Sequence, residues 1–139
     1  DQAIGASEDR MAWMRTARSD YEIALPLFEV ESFVRGQGYY HDLPGDVRRA
    51  QLDHLIDVTS QFYPGLRLYL FDARRLFSAP VTIFGPLLAV LYLGRNYMVF
   101  RDTERVQAMT RHFDGLVREA AIGARALPDH LRALRDTVA

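Results

Sequence analysis

The chain has 139 residues, 49% of them apolar and 25% charged, with a net charge of -1 and a pI near 6.5. This is the length and composition of one folded domain with a real core, which excludes a disordered chain, and the near-neutral balance excludes a continuous basic surface for nucleic-acid phosphates. There is no cysteine and all 17 basic residues are arginine, which removes disulfides, thiolate chemistry, Schiff bases and phosphate-loop lysines together and fits a reducing cytoplasm.

The chain opens Asp1-Gln2-Ala3, with neither an initiator Met nor a signal peptide, and reads as a piece of a longer polypeptide. Ser7 is placed to cap a first helix running to about Ser19, with Glu8 and Asp9 in its first turn and Met11, Trp13, Met14 and Ala17 on its apolar side. Tyr21 to Phe33 continues it, interrupted by Pro26, and "RGQGYYHDLPGD" is a glycine-rich connection. A second helix starts near Pro44, with Leu52, Leu55, Ile56, Thr59, Phe62 and Tyr63 on one face, and Pro64-Gly65 ends it. Leu66 to Phe71 alternates as a strand, and Asp72 to Ser78 turns the chain.

From Leu76 to Gly94 no residue is charged, a run of 19 residues and nearly enough for a membrane-spanning helix. Pro80 and Gly85-Pro86 would leave such a helix with unpaired backbone groups in lipid, so two buried strands, Ala79 to Phe84 and Leu88 to Leu93, account for it better than a membrane span. Gly94-Arg95-Asn96 turns into a further strand, Tyr97 to Arg101. Asp102 caps a helix whose apolar stripe is Val106, Met109, Phe113, Leu116, Val117 and Ala120, and Pro128 opens a short, loosely anchored terminal helix, Asp129 to Val138. The expected fold class is α+β. An antiparallel sheet of about four strands, residues 66-101, packs against flanking helices, residues 7-63 and 102-138, in one domain, 1-139. Val81, Ile83, Val90, Leu91 and Val99 are expected in its interior, covered by the helices around Leu55 and Phe113.

Catalytic signatures are thin. "GQGYYH" lacks the third glycine of a dinucleotide loop, and no Gly-x-Ser-x-Gly exists. His54 with Asp53 and Asp57 is a weak metal set that reads as a solvated helix face, as does His112 near Arg111 and Asp114. No metal or cofactor is expected. "FDARRLFSAP" is more informative: Asp72, Arg74, Arg75 and Ser78 share one loop, Arg95 lies in a second, and with Tyr69, Tyr92 and Tyr97 they could line a pocket for a small acidic effector. The competing reading is an Asp72 to arginine salt bridge that pins the turn.

Tyr63 to Ala120, with "FSAPVTIFGP", "YLGRNYMVF" and "RHFDGLVREA" as its most specific pieces, resembles the C-terminal region of bacterial helix-turn-helix transcriptional regulators of the xenobiotic-response-element (Cro/C1-like) type. "DYEIALPLFEVESFVRGQGYYHDLP", Asp20 to Pro44, extends the resemblance to most of the chain. It implies an effector-sensing or oligomerisation domain, with DNA read by an upstream helix-turn-helix that these residues lack, and it supplies no catalytic residues. A homodimer is expected, since such regulators read two-fold operators, with Met11, Trp13 and Met14 as candidate interface residues. A small enzyme acting on an anionic substrate through Asp72, His112 and the arginines, or a purely structural dimerisation module, are the alternatives.

Overall fold

A computed structural model describes residues 21–139; the helix expected from Ser7 to Ser19, with Met11, Trp13 and Met14, lies outside them. Strand β1 (Tyr21–Pro26) leads into helix α1 (Leu27–Arg35), a single 3-10 turn (Gly38–Tyr40) and helix α2 (Gly45–Gln61). Strands β2 (Leu66–Phe71), β3 (Val81–Phe84), β4 (Leu88–Leu93) and β5 (Asn96–Phe100) follow, then helix α3 (Thr103–Arg118), strand β6 (Ala120–Ile122) and helix α4 (Leu127–Arg135). The α+β class and the four strands read from residues 66-101 are present, but among the described residues the sheet has six strands, in the order β5-β4-β3-β1-β2-β6.

Two strands lie where helix was expected. Tyr21 to Pro26 is extended because β2 and β3 flank it on both sides, parallel to β2 and antiparallel to β3. The two helices between β1 and β2 give the chain room to return in the same direction, which a short turn does not allow, so the sheet is mixed. Ala120, expected on the apolar stripe of α3, instead begins β6 and pairs with Phe71; α3 stops at Arg118. Asp102 caps α3 as read, its carboxylate accepting the Arg105 N–H at 3.1 Å.

Side chains alternate across the sheet, so paired positions share a face. Leu68 and Leu70 point to a face covered by α1, α2 and α4, where they meet Val30, Val34, Leu52, Ile56, Leu127 and Leu131. Ala24, Phe71, Val81, Ile83 and Ala89 point to the other, where α3 lays down Phe113 and Leu116. The helices of Leu55 and Phe113 thus cover opposite faces. The terminal helix is anchored firmly, with Leu127 and Leu131 fully buried and Arg135 holding Asp53 of α2 at 2.8 Å. Asp53 is therefore tied to a neighbouring helix, unlike the free solvated face the sequence suggested.

The stretch Leu76 to Phe100, uncharged but for Arg95, supplies one half of the sheet, from β3 beside its midline out to the β5 edge. Val81, Ile83 and Val90 are buried as expected, Leu91 is half-buried, and Val99 is 39% exposed because β5 is the outermost strand. The two middle positions of the six belong to β3, from this stretch, and β1. Among the described residues, no helix is long and apolar enough to cross a membrane.

One arginine joins the helical layer. Gly36 adopts φ +62°, ending α1 with its own N–H and that of Gln37 returned to Phe33 and Ser32. Arg48 of α2 donates to the Val34 carbonyl near that end and, through Nε, to the Leu43 carbonyl at 3.0 Å. A guanidinium at a helix C-terminus satisfies free carbonyls and meets the negative end of the dipole. A side chain on Gly36 would press on this guanidinium, since a Cβ there would lie 3.0 Å from its central carbon.

Candidate functional site

On the α3 side of the sheet, Glu22, Arg67 and Ile83 are lateral neighbours in one row across β1, β2 and β3. Arg67 donates to the Glu22 carboxylate at 3.1 Å and to the Pro64 carbonyl at 2.6 Å. The next row carries Tyr69 and Ala24, and the Tyr69 ring meets Phe113 of α3 edge-on, with centroids 6.0 Å apart. Burial, and then the nearby Glu22 charge, raise the Tyr69 phenol above its ordinary value. The neutral phenol is the form the fold favours, and this contribution is lost only as strongly alkaline pH ionises it.

Between the Glu22–Ile83 end of the first row and the first half of α3 lies a cleft of about 450 Å³. Its apolar lining is Ile83 of β3, Pro86 of the β3–β4 turn and Val106 of α3. Glu22, Gln107, Thr110 and Arg111 supply polar groups, the Thr110 hydroxyl being committed to the Val106 carbonyl at 2.8 Å. Arg111 is exposed and, among the described residues, carries no ion pair. An apolar lining with a few polar groups, one of them an unpaired cation, suits a small molecule with an apolar body and an anionic end.

The eight residues singled out in the sequence do not converge. Tyr69 shares its face with Ala24, Val81 and Leu91, and Tyr92, next in sequence after Leu91, points to the opposite one. Tyr92 instead pairs across β4 and β5 with Tyr97, ring centroids 6.4 Å apart. Arg95 is exposed in the β4–β5 turn, and Arg75 in the loop after β2. Asp72 accepts the Arg74 backbone N–H at 3.0 Å and both arms of its guanidinium at 3.2 Å. This is the turn-pinning salt bridge of the competing reading, with a side chain that folds back on its own loop.

Arg74 holds the Asp72 carboxyl below the usual carboxylate range, first through its side-chain hydrogen bonds and then through its backbone N–H. The folded value lies below the unfolded one, so this contribution is complete above the ordinary carboxylate pKa of about 4 and is lost as pH falls through the lowered value. In an NMR titration the Arg74 amide signal is expected to hold steady down to pH 4 and move below it, and Asp72→Asn removes that step. A carboxyl titrating at or above pH 4 would contradict the arrangement.

Ser78, the last of the eight, touches a residue far away in sequence. Its Oγ lies 2.8 Å from His112 Nε2, and its hydroxyl donates to the Ala79 carbonyl at 2.8 Å. With that proton committed, Oγ accepts from the Nε2–H tautomer of His112. The pair fastens the β2–β3 loop to α3. Nothing local in the sequence links these two residues, which are 34 positions apart. The cleft residues Glu22, Gln107 and Arg111 were equally hidden, because β1 had not been read as a strand. Among the described residues, no three metal-ligating side chains cluster.

No protein-family model, curated protein or solved structure matches this chain.

Proposed function

We propose that this chain is an effector-sensing or oligomerisation domain of a bacterial transcriptional regulator, with DNA read by a helix-turn-helix outside these residues. The cleft beneath the first half of α3 carries the reading, because it offers Arg111 without an ion pair beside the apolar surface of Ile83, Pro86 and Val106. The sequence resemblance supports it from a separate direction. The effector class is a small amphipathic anion, its carboxylate or phosphate on the Arg111 fork and its apolar part over Ile83 and Val106. This moves the acidic-effector site from the Asp72 loop to α3.

Such a ligand would bear on α3 directly. The helix continues from the cleft through His112, where it holds the β2–β3 loop, to Phe113 in the core. A displacement in its first half is therefore felt at both places, which is the contiguous path that coupling between sites needs.

Benzoate and phenylpropionate are suitable probes. In a ¹⁵N-resolved titration, shifts are expected at Ile83, Gln107 and Arg111, with Arg74 and Arg95 unaffected. Arg111→Glu should weaken binding about tenfold or more, the loss of one charge-assisted contact. Binding of neither probe, or shifts centred on Arg74 and Arg95, would reject the cleft as the effector site.

A further inference from the structure

The two edges of the sheet are built differently. On one side β6 is only three residues long and its pairing with β2 is broken by a register shift at Leu70/Phe71, both of which discourage further strands from adding. On the other side β5 is five residues, "NYMVF", with no charge, proline or register break. Tyr97, Met98 and Val99 are 61%, 45% and 39% exposed. Among the described residues β4 is its one neighbour.

The hairpin fixes what this edge presents. A two-residue turn, Gly94-Arg95, makes Leu93 and Asn96 the closing pair, so the backbone groups of Asn96, Met98 and Phe100 turn toward β4 and those of Tyr97 and Val99 toward the open side. The edge therefore offers donors and acceptors flanked by apolar side chains on both faces, which an extended strand satisfies.

We infer that a second copy of this chain occupies this edge, β5 running antiparallel to β5 about a two-fold axis. Such an axis perpendicular to the sheet permits only registers that keep paired residues on the same face, and three are centred within the exposed residues. Centring on Met98 sets Arg95 opposite the second copy's Arg101, which like charges disfavour. Centring on Tyr97 runs into the turn after three paired residues. Centring on Val99 pairs Tyr97 through Arg101, puts Val99 against itself, Met98 against the second copy's Phe100, and Tyr97 against its Arg101. Those last two are a thioether on an aromatic ring and a cation on an aromatic ring, both attractive. The result is a continuous sheet of twelve strands, six from each copy.

This surface is separate from the cleft of Arg111, and its failure would leave the effector reading standing. Light scattering on the 139-residue chain at 100 µM is expected to give a mass of twice 15.9 kDa. Val99→Lys is expected to give the single mass, with an unchanged far-ultraviolet spectrum and the same probe binding at Arg111. Because the chain lacks cysteine, Val99→Cys introduces a lone thiol, which a short bismaleimide should join into covalent dimers at least tenfold faster than in Leu87→Cys, on the exposed β3–β4 turn. If Val99→Lys fails to fold, this crosslinking comparison decides. A monomeric parent chain, a dimer that survives Val99→Lys, or equal crosslinking at the two positions would each overturn the inference.

Discussion

Phe113→Ala is expected to cost about 3–5 kcal/mol, the range for deleting a fully buried aromatic ring. Phe113 is 1% exposed and lies in the one helix that, among the described residues, covers its side of the sheet, packed with Ala24, Phe71, Val81, Ile83 and Leu116. The ring also receives Tyr69 edge-on, so truncation leaves a cavity and an aromatic pair without its partner. Since among the described residues α3 has no second helix beside it to close the gap, the loss should fall near the upper end. Against a domain stability of about 5–15 kcal/mol, the urea midpoint should drop sharply. Phe77→Ala, at a residue 90% exposed, should leave it nearly unchanged. A cost below about 1 kcal/mol at Phe113 would mean that α3 does not seal this face.

Gly45→Ala is expected to destabilise by about 1–3 kcal/mol, the usual cost of overpacking, although alanine is the better helix residue. A Cβ on Gly45 would lie 2.1 Å from the backbone oxygen of Ala139, closer than any unstrained contact. Either the start of α2 or the segment after α4 must move. If the latter moves, Val138 leaves the core and the bond from Arg49 Nη1 to its carbonyl, at 3.2 Å, is broken. Hydrogen exchange at Thr137 and Val138 should accelerate along with the loss of stability. Gly115→Ala is the contrasting case: it lies inside α3 with no atom near the added carbon, and a gain of about 0.5–1 kcal/mol is expected. A stabilising Gly45→Ala would show that the close approach is not maintained in solution.

The strands from Leu66 to Phe100 were legible because each is bounded by Gly, Pro or a tight turn and is rich in branched and aromatic residues. Helix α3 was legible because Asp102 and the stripe from Val106 to Leu116 agree. Strand β1 was not. "YEIALP" is as compatible with a helix as with a strand over so short a span, and what decides it is β2 and β3 on either side, a long-range circumstance. Strand β6 failed for a similar reason: the spacing that carried Ala120 onto the α3 stripe does not reveal that β2 still has an open edge. Burial of Val99 was overestimated because an uncharged strand reads alike at the centre of a sheet and at an edge awaiting a partner. Of the candidate site, only the Asp72 turn was readable, being local. The cleft depends on Glu22 and Arg111 being brought together from opposite ends of the fold.

The position of β1 bears on the order in which the molecule assembles. Strands β3, β4 and β5 form a meander of near neighbours in sequence and can pair as soon as they are made, and β2 with β6 forms a second piece. These two pieces share no strand pairing of their own; β1 alone lies between them, contacting β2 by way of Glu22 and Arg67 and β3 by way of Glu22 and Ile83. The sheet becomes continuous only after long loops on both sides of β1 have closed, and contacts of that kind slow folding. Until then the apolar undersides of both pieces stand open to water, so the early strand is what converts two half-sheets into one cooperative unit.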